Sequence, residues 1–464
     1  MNVTFVILAA GLGTRMKSKR PKVLHRAGGL TLVEHVIRSA LGVTSADHIV
    51  IVVGHQADAV RSALAPYGVR FATQTEQKGT GHAVLCCQPL LESEPGLVVV
   101  AYGDCPLLTA DTFRRLVEAQ ASSQKAATLV ATHLEDPTGY GRIILDAQGD
   151  VVEVIEEKAA APEQRKMKLI NSGIYCFNAR LLWNHIGQIT PNFASGELYL
   201  TDMPEIFARA GHRVAPFYLE DPAQLIGINS RVELANVDLL LRRRKTEQLM
   251  IAGVTIENPD TVTVDIDVEV GQDTTIEPFV RLLGRTRIGS DCRVGSCSIL
   301  RDTTLADGVE IDAFTKIENS VVDSGAQIGP FARLRPEAHV EQNAFIGNFV
   351  ELKKTRLGAG SKASHLSYLG DSDIGENVNI GAGTITCNYD GIRKSKTKIG
   401  KGSFVGSHST LVAPVEVGDG AYVGAGSVIT DPVPADALAL GRSRQVVKEN
   451  WAAERRAKAE AAKG

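Results

Sequence analysis

Between Val262 and Ile429 an aliphatic residue returns every six positions, often with a glycine behind it. The clearest run reads Ile399-Gly400, Val405-Gly406, Leu411, Val417-Gly418, Val423-Gly424, Ile429. A second, Ile328-Gly329, Leu334, Val340, Ile346-Gly347, Leu352, keeps the spacing, and Ile374-Gly375 with Ile380-Gly381 resumes it after an irregular interval. That period matches neither the turn of a helix nor the alternation of an isolated strand, but it suits a parallel β-helix with three flat faces, one hexapeptide per face. The aliphatic residue is then expected to point inward and the glycine to turn the corner.

At roughly 18 residues per coil and a rise of about 4.8 Å, the repeat builds a prism of about ten coils. A single column has a thin core, so association through its walls, with clefts between neighbours, is expected. By itself such a prism is also compatible with a rigid spacer, because a fold does not dictate a function. The chain has 464 residues, too many for one ordinary core, so two or three domains are expected. Its 50 Lys+Arg and 53 Asp+Glu leave a formal net charge of -3, which provides no broad electrostatic footprint for nucleic acid. Small molecules and other subunits are the expected partners. Seven cysteines without a C-x-x-C pair fit neither a disulfide framework nor a zinc site, and suit a reducing cytoplasm. The apolar start Val3 to Ala10 lacks a basic leader and runs into Gly11-Leu12-Gly13-Thr14-Arg15, so it is read as a buried strand. No uncharged apolar stretch is long enough to span a membrane.

The first 230 residues alternate aliphatic runs (Val3 to Leu8, His48 to Val53, Leu97 to Ala101, Ala127 to Ala131) with amphipathic stretches such as Thr31 to Leu41 and Asp111 to Gln120. This implies βαβ units and a mostly parallel, Rossmann-like sheet, with ligands at the carboxyl ends of its strands. Ser230-x-x-Glu233 is a capping box opening a helix to Ile251, with Val232, Ala235, Leu239, Thr246 and Met250 as its expected apolar stripe and Arg242 to Lys245 on a solvated face. The expected domains are 1-231, a linker helix 232-252, and a β-helix with a tail from 253 to 464. The last residues, from Lys448, read as a short helix or frayed tail.

Two constellations carry chemistry. The strand Val6 to Ala10 runs into a glycine-rich turn that is neither a Walker loop nor the dinucleotide fingerprint, since Met16 stands where the latter needs glycine. On its glycines alone the turn is either an ordinary tight turn or a phosphate cradle. Arg15 and Lys22 add two cations beside it, as a polyphosphate requires. Asp104, after the run Leu97 to Val100, is either a turn aspartate or a carboxylate for Mg²⁺. In the repeat, His339, His365 and His408 are too dispersed for the three-histidine metal site of a hexapeptide carbonic anhydrase. His365 stands where the repeat slackens, and Arg335, Glu351 and Lys353 precede it with two cations suited to a sugar phosphate.

Taken in order, Leu8 to Arg15, Pro21 to Leu24, Gln74 with Gly79 to Ala83, Tyr102 to Asp104, Gly139 to Arg142, Glu156, Asn171 to Gly173 and Asn229 resemble sugar-nucleotide pyrophosphorylases. Together with the repeat, residues 3 to 447 resemble the bifunctional bacterial N-acetylglucosamine-1-phosphate uridylyltransferase/glucosamine-1-phosphate N-acetyltransferase family. The resemblance implies an α/β nucleotidyltransferase, a long linker helix and a left-handed parallel β-helix, assembled as a cytoplasmic homotrimer that makes precursors of peptidoglycan and lipopolysaccharide. By position it implies that Leu8, Ala9, Ala10, Gly11, Gln74, Gly79 and Thr80 hold the uridine nucleotide, and that Lys22, Tyr102, Gly103 and Asp104 also bind UDP-N-acetylglucosamine. Gly141, Glu156, Asn171 and Asn229 would hold the N-acetylglucosamine end, Asp104 and Asn229 the Mg²⁺, and Arg15 with Lys22 the triphosphate of UTP. His365 would be the general base of acetyl transfer, with Glu351 orienting it. Arg335, Lys353, Tyr368, Asn379 and Lys394 would bind glucosamine-1-phosphate, and Ala382, Asn388, Tyr389, Ser407, Ala425 and Arg442 acetyl-CoA. Arg393 stands where the family commonly has asparagine, and Gly441-Arg442 where it has Ser-Arg, while Lys394 and Arg442 themselves remain. Two other readings stay open: a single-activity nucleotidyltransferase whose repeat only assembles subunits, and a non-catalytic scaffold like the translation-factor exchange subunits.

Overall fold

The computed structural model describes residues 2–193 and 196–462. It divides into two compact units, one ending at Arg242 and the other starting at Arg243.

In the first unit a sheet runs in the order Val214–Tyr218, Ala127–His133, Leu169–Asn178, Leu97–Tyr102, Val3–Ala9, Ile49–Val53, Arg70–Thr73. Leu169–Asn178 is antiparallel to both neighbours and every other pairing along that path is parallel. The hairpin Gly141–Leu145/Val151–Ile155 branches from it. Side chains on the central strand alternate between two cores, Phe5 and Ile7 on one face and Val6 on the other. That double burial explains why its sequence is a continuous apolar run rather than an alternation. Helix Leu32–Leu41 starts at a capping box in which Thr31 and Glu34 bond each other's backbone N–H groups. The glycine-rich turn leads into a single 3₁₀ turn, Thr14–Met16, and not into a longer helix as the phosphate-cradle pattern anticipates.

The capping box at Ser230 forms: Glu233 N–H donates to Ser230 Oγ at 3.2 Å and the Glu233 carboxylate accepts from Ser230 N–H at 2.8 Å. The helix runs Arg231–Ile251. Its expected stripe is corrected. Val232 and Leu239 are 70% and 64% exposed, and the buried positions are Val237, Thr246 and Leu249. Consecutive leucines at 239 to 241 offer several overlapping stripes, and the cluster of Met16, Ala27, Leu32, Leu107 and Ile228 selects the one through Leu234, Val237 and Leu241.

The second unit is a three-faced column of sheets with eleven, ten and nine strands. Each strand pairs in parallel with the strand one coil later, for example Gln327–Ile328 with Phe345–Asn348 and then Lys362–His365. Ile276, Val294, Ile311, Ile328 and Ile346 stack inside one face as the six-residue period requires. Each such side chain contributes roughly 1.5–3 kcal/mol by burial. Gly329 has the positive φ, 115°, that the expectation gives a corner glycine, but others after such residues work differently. Gly347 and Gly400 lack positive φ, and an added Cβ would collide with Ser364 or Asp419 of the next coil, so they permit close approach. The left-handed corner is taken elsewhere, at residues including Phe314, Phe331 and Phe349, whose exposed rings stack at 5.0 and 5.4 Å. The tail forms helix Trp451–Ala461 with no buried residue.

Candidate functional sites

At the carboxyl ends of Val3–Ala9 and Leu97–Tyr102 lies a cavity of about 540 Å³. Leu8, Ala9, Ala10, Gly11, Arg15, Lys22, Gln74, Gly79, Thr80, Tyr102, Asp104 and Asn229 all line it. Gly13 has φ 61°, and a Cβ there would lie 2.7 Å from Lys22 Cβ, so the turn seats against the lysine only as glycine. Gly103 supports the site from behind by donating its N–H to Leu8 O at 2.9 Å.

Lys22 Nζ bonds Asp104 Oδ2 and, at 3.2 Å, Asn229 Oδ1. Two oxygen ligands thus converge on one cationic position. Among the described residues no group of three or more His, Cys, Asp or Glu side chains is arranged for a metal. The donor set therefore suits a hard cation that keeps water or phosphate as its remaining ligands, and Asp104 and Asn229 fit that role. Gln74 is 4% exposed, and its amide Nε2 donates to Gly79 O at 3.0 Å and faces His82 Nδ1 at 3.1 Å, which leaves its oxygen for a ligand. Gly79 is required by its φ of 96° and by the Leu198 carbonyl, 2.5 Å from where a Cβ would sit.

Gly141, Glu156 and Asn171 adjoin the cavity without lining it. Gly141 pairs with Asn171, the Asn171 Oδ1 accepts from Gly173 N–H at 2.9 Å, and a Cβ on Gly173 would collide with the Tyr102 ring. Burial, then the Glu156 and Asp104 carboxylates, push the Tyr102 phenol pKa far up, so it stays a neutral hydrogen-bonding group. Glu156 Oε1 accepts from Thr201 Oγ at 2.9 Å. Gln77, Glu197 and Tyr199 also line the cavity and escaped the sequence reading. The last two arrive because Gly81 N–H donates to Leu198 O at 2.8 Å, a long-range contact with no local signature.

In the second unit His365 ends strand Lys362–His365, in register with Asn348 one coil earlier. Its Nδ1 lies 2.7 Å from Asn348 Oδ1. An amide oxygen there places the ring proton on Nδ1 and leaves Nε2 with its lone pair open to accept a proton. Glu351, which the resemblance sets beside this imidazole, is paired elsewhere within the chain. Its carboxylate sits 3.0 Å from Arg335 and 3.6 Å from Arg333, because strand Glu351–Lys353 belongs to the next face of the prism. Within the chain the imidazole meets Asn348.

Lys353 lies 3.9 Å from Asp371, which also accepts from the Asn388 amide. The Lys353 ammonium, beside that of Lys394, pulls the Lys394 pKa down. Two facing ammonium groups make a seat for a dianion. The Tyr368 ring lies over Gly370, where a Cβ would meet its hydroxyl at 2.5 Å. The loop carrying Lys394 is pre-shaped: Tyr389 Oη donates to Gly391 O at 2.5 Å, and Asp390 accepts from the N–H groups of Ile392 and Arg393 at 2.7 and 2.6 Å. Asn379 lies on the same face as His365, apart from the face of Lys353. Ala382, Ser407 and Ala425 stack at one corner, where His408 N–H donates to Ala382 O at 2.7 Å and Gly426 N–H to Ser407 O at 2.8 Å. The Arg442 stem passes 3.9 Å from the Cβ position of Gly426, above that stack.

Residues 5–172 match the MobA-like NTP transferase domain, and residues 396–431 match the bacterial transferase hexapeptide (six repeats). The chain is 58% identical over 454 residues to the bifunctional protein GlmU of Solibacter usitatus, covering 98% of this chain and 97% of that one. It is 48% identical to GlmU of Koribacter versatilis, with 97% of each chain covered, and 43% identical to GlmU of Streptococcus thermophilus, with 96% of each covered. The chain belongs to the bifunctional GlmU family. Membership joins a nucleotidyltransferase unit and a hexapeptide unit in one enzyme with uridylyltransferase and acetyltransferase activities. GlmU-type substrates are small sugar and nucleotide molecules, and the NTP transferase unit implies a divalent metal. No helix among the described residues is long and apolar enough to cross a membrane.

Proposed function

We propose that this enzyme first acetylates glucosamine-1-phosphate in the second unit and then uridylylates the product in the first, yielding UDP-N-acetylglucosamine. The functional division follows 1-231, a helix 232-252 and 253-464. The observation that carries the uridylyl half is the Lys22 ammonium held between Asp104 and Asn229 at the carboxyl end of the sheet.

In acetyl transfer, Lys353 and Lys394 with Arg335 seat the phosphate, and Tyr368 and Asn379 contact the sugar. His365 Nε2 takes a proton from the amine as its nitrogen attacks the thioester carbonyl. The carbon–sulfur bond breaks and the thiolate of CoA leaves. Ala382, Asn388, Tyr389, Ser407, Ala425 and Arg442 hold acetyl-CoA. That Asn379 and Lys353 stand on different faces of one column supports sites completed between columns of a homotrimer.

In uridylyl transfer, Gln74, Gly79 and Thr80 with the turn Leu8 to Gly11 position UTP, while Gly141, Glu156, Asn171 and Asn229 position N-acetylglucosamine-1-phosphate. A sugar-phosphate oxygen attacks the α-phosphorus in line, the bond to the β-phosphoryl oxygen breaks, and pyrophosphate leaves toward Arg15 and Lys22. Mg²⁺ at Asp104 and Asn229 would supply charge neutralisation on the phosphates.

The deciding assay combines glucosamine-1-phosphate, acetyl-CoA, UTP and Mg²⁺ and follows CoA thiol and pyrophosphate separately. Both are expected, with pyrophosphate dependent on acetyl-CoA unless N-acetylglucosamine-1-phosphate is supplied. Pyrophosphate from the acetylated sugar with no CoA release at all would leave the β-helix a scaffold and defeat the proposal.

A further inference from the structure

Two segments far apart in sequence are joined by three cross-links in a row. Lys22 bonds Asn229, His25 Nδ1 accepts from Arg231 at 3.2 Å, and Gly28 N–H donates to Asp238 Oδ1 at 2.7 Å. The first link lies in the cavity and the other two continue away from it, along the loop on one side and up the first turns of helix Arg231–Ile251 on the other. Asp238 is held in turn by Arg242 Nε at 2.8 Å. Met16, next to Arg15, packs with Ala27, Ile228 and Val237 behind the links.

We propose that His25 and Arg231 are positioning residues, a clamp that keeps Lys22 and Asn229 opposite each other while the uridylyl site is loaded; this rests on the reading of that site given above. The need follows from charge. A triphosphate competes for the Lys22 ammonium with stronger charge-assisted bonds, so loading the site opens the first link. The links at His25 and Gly28 make no contact with the cavity and persist through that exchange. Without them the hydrogen bond that ties the Lys22 loop to the Asn229 turn at the cavity is the one that substrate removes, and the apolar packing behind it is left to hold the register.

His25 is suited to this and to little else. It is 5% exposed, and its ring meets the Arg231 guanidinium and, weakly, the Arg20 backbone, so packing alone favours an aliphatic side chain there. Accepting from a guanidinium requires a neutral ring, and burial together with the Arg231 and Arg20 charges pulls its pKa down. Its backbone N–H also closes the turn Lys22–Leu24 on Lys22 O at 3.1 Å, which couples the ring's seat to the lysine's backbone.

The test uses full-length protein, measuring pyrophosphate release against UTP and Mg²⁺ concentration and CoA release as an internal control. Arg231→Ala, at an exposed helix position, and His25→Leu are each expected to lower kcat/KM for UTP by about ten- to a hundred-fold, the scale of a misplaced catalytic group. Half-saturating Mg²⁺ should rise and acetyl transfer should stay unchanged. His25→Asn, whose Oδ1 replaces Nδ1 as acceptor, should recover most of the loss, and the double variant His25→Leu/Arg231→Ala should be no worse than either single change. Uridylyl kinetics within twofold of wild type in Arg231→Ala and His25→Leu would overturn the clamp. So would a loss confined to kcat, tracking a lower unfolding temperature, with UTP KM and Mg²⁺ dependence unmoved and no advantage of asparagine over leucine. Wild-type protein that releases no pyrophosphate would instead overturn the reading of the site.

Discussion

His365 and Asp202 show how its immediate surroundings set what a titratable side chain does. Asn348 fixes the His365 tautomer, so Asn348→Ala is expected to reduce acetyl-transfer kcat by about ten- to a hundred-fold, less than the complete loss in His365→Ala. Uridylyl transfer should be normal in both, and an Asn348→Ala enzyme with wild-type CoA release would remove the asparagine from the mechanism. Burial, then Glu205 and Glu156, raise the Asp202 carboxyl to about 6. Its folded-state proton affinity exceeds the unfolded value, so its contribution favours folding at acid pH and is lost as pH rises through about 6. Asp202→Asn should accordingly raise the unfolding temperature at pH 8 by about a few degrees and by less at pH 5; an equal gain at both would refute the assignment. At this scale the sequence was legible where a residue type is chemically committed. His365, Lys22 and Asp104 stood out, because imidazole, ammonium and carboxylate have few roles beside a phosphate loop or a break in a repeat. Asn348 and Asp371 did not. They act by lying one coil below His365 and Asn388, and a relation seventeen residues apart is visible only once the coil length is known.

Elements explain why the spacing of the repeat was readable while the duty of glycines such as Gly347 and Gly400 was misread. A period of six identifies three inward faces, but it does not distinguish a glycine needed for its dihedral from one needed for space. Gly347 belongs to the second kind, and a Cβ there meets the Ser364 carbonyl, next to His365. Gly347→Ala should therefore displace the base, lowering kcat for acetyl transfer with little change in uridylyl kinetics; unchanged CoA release would show that the coil yields locally. Gly173 combines both demands, with φ 75° and the Tyr102 ring against it. Gly173→Ala is expected to raise the KM for N-acetylglucosamine-1-phosphate several-fold, since the displaced ring adjoins Asn171 and Glu156, and an unaltered KM would place the sugar elsewhere. The long helix was legible from its capping box, yet its buried stripe was not. Several leucine-rich stripes were equivalent until the cluster around Met16 and Ile228 chose one of them.

For the whole molecule, each of the two candidate sites is assembled around residues of its own compact unit, Lys22, Asp104 and Asn229 in one and His365, Asn348, Lys353 and Lys394 in the other. Chemistry of one site does not need the chemistry of the other; it needs only its product. Mixing Asp104→Ala protein, competent for acetylation, with His365→Ala protein, competent for uridylylation, should thus restore pyrophosphate release from glucosamine-1-phosphate although neither does so alone. The mixture must pass N-acetylglucosamine-1-phosphate through solution, so its pyrophosphate should lag CoA release until the intermediate approaches the KM of the second site, and the lag should lengthen on dilution. A lag in the wild type as long as in the mixture would mean that joining the two units on one chain gives no transfer advantage. A shorter one would mean that the intermediate reaches a uridylyl site before it equilibrates with solvent. If the mixture stays inactive while each variant performs its own half-reaction, the separation of the two sites is refuted.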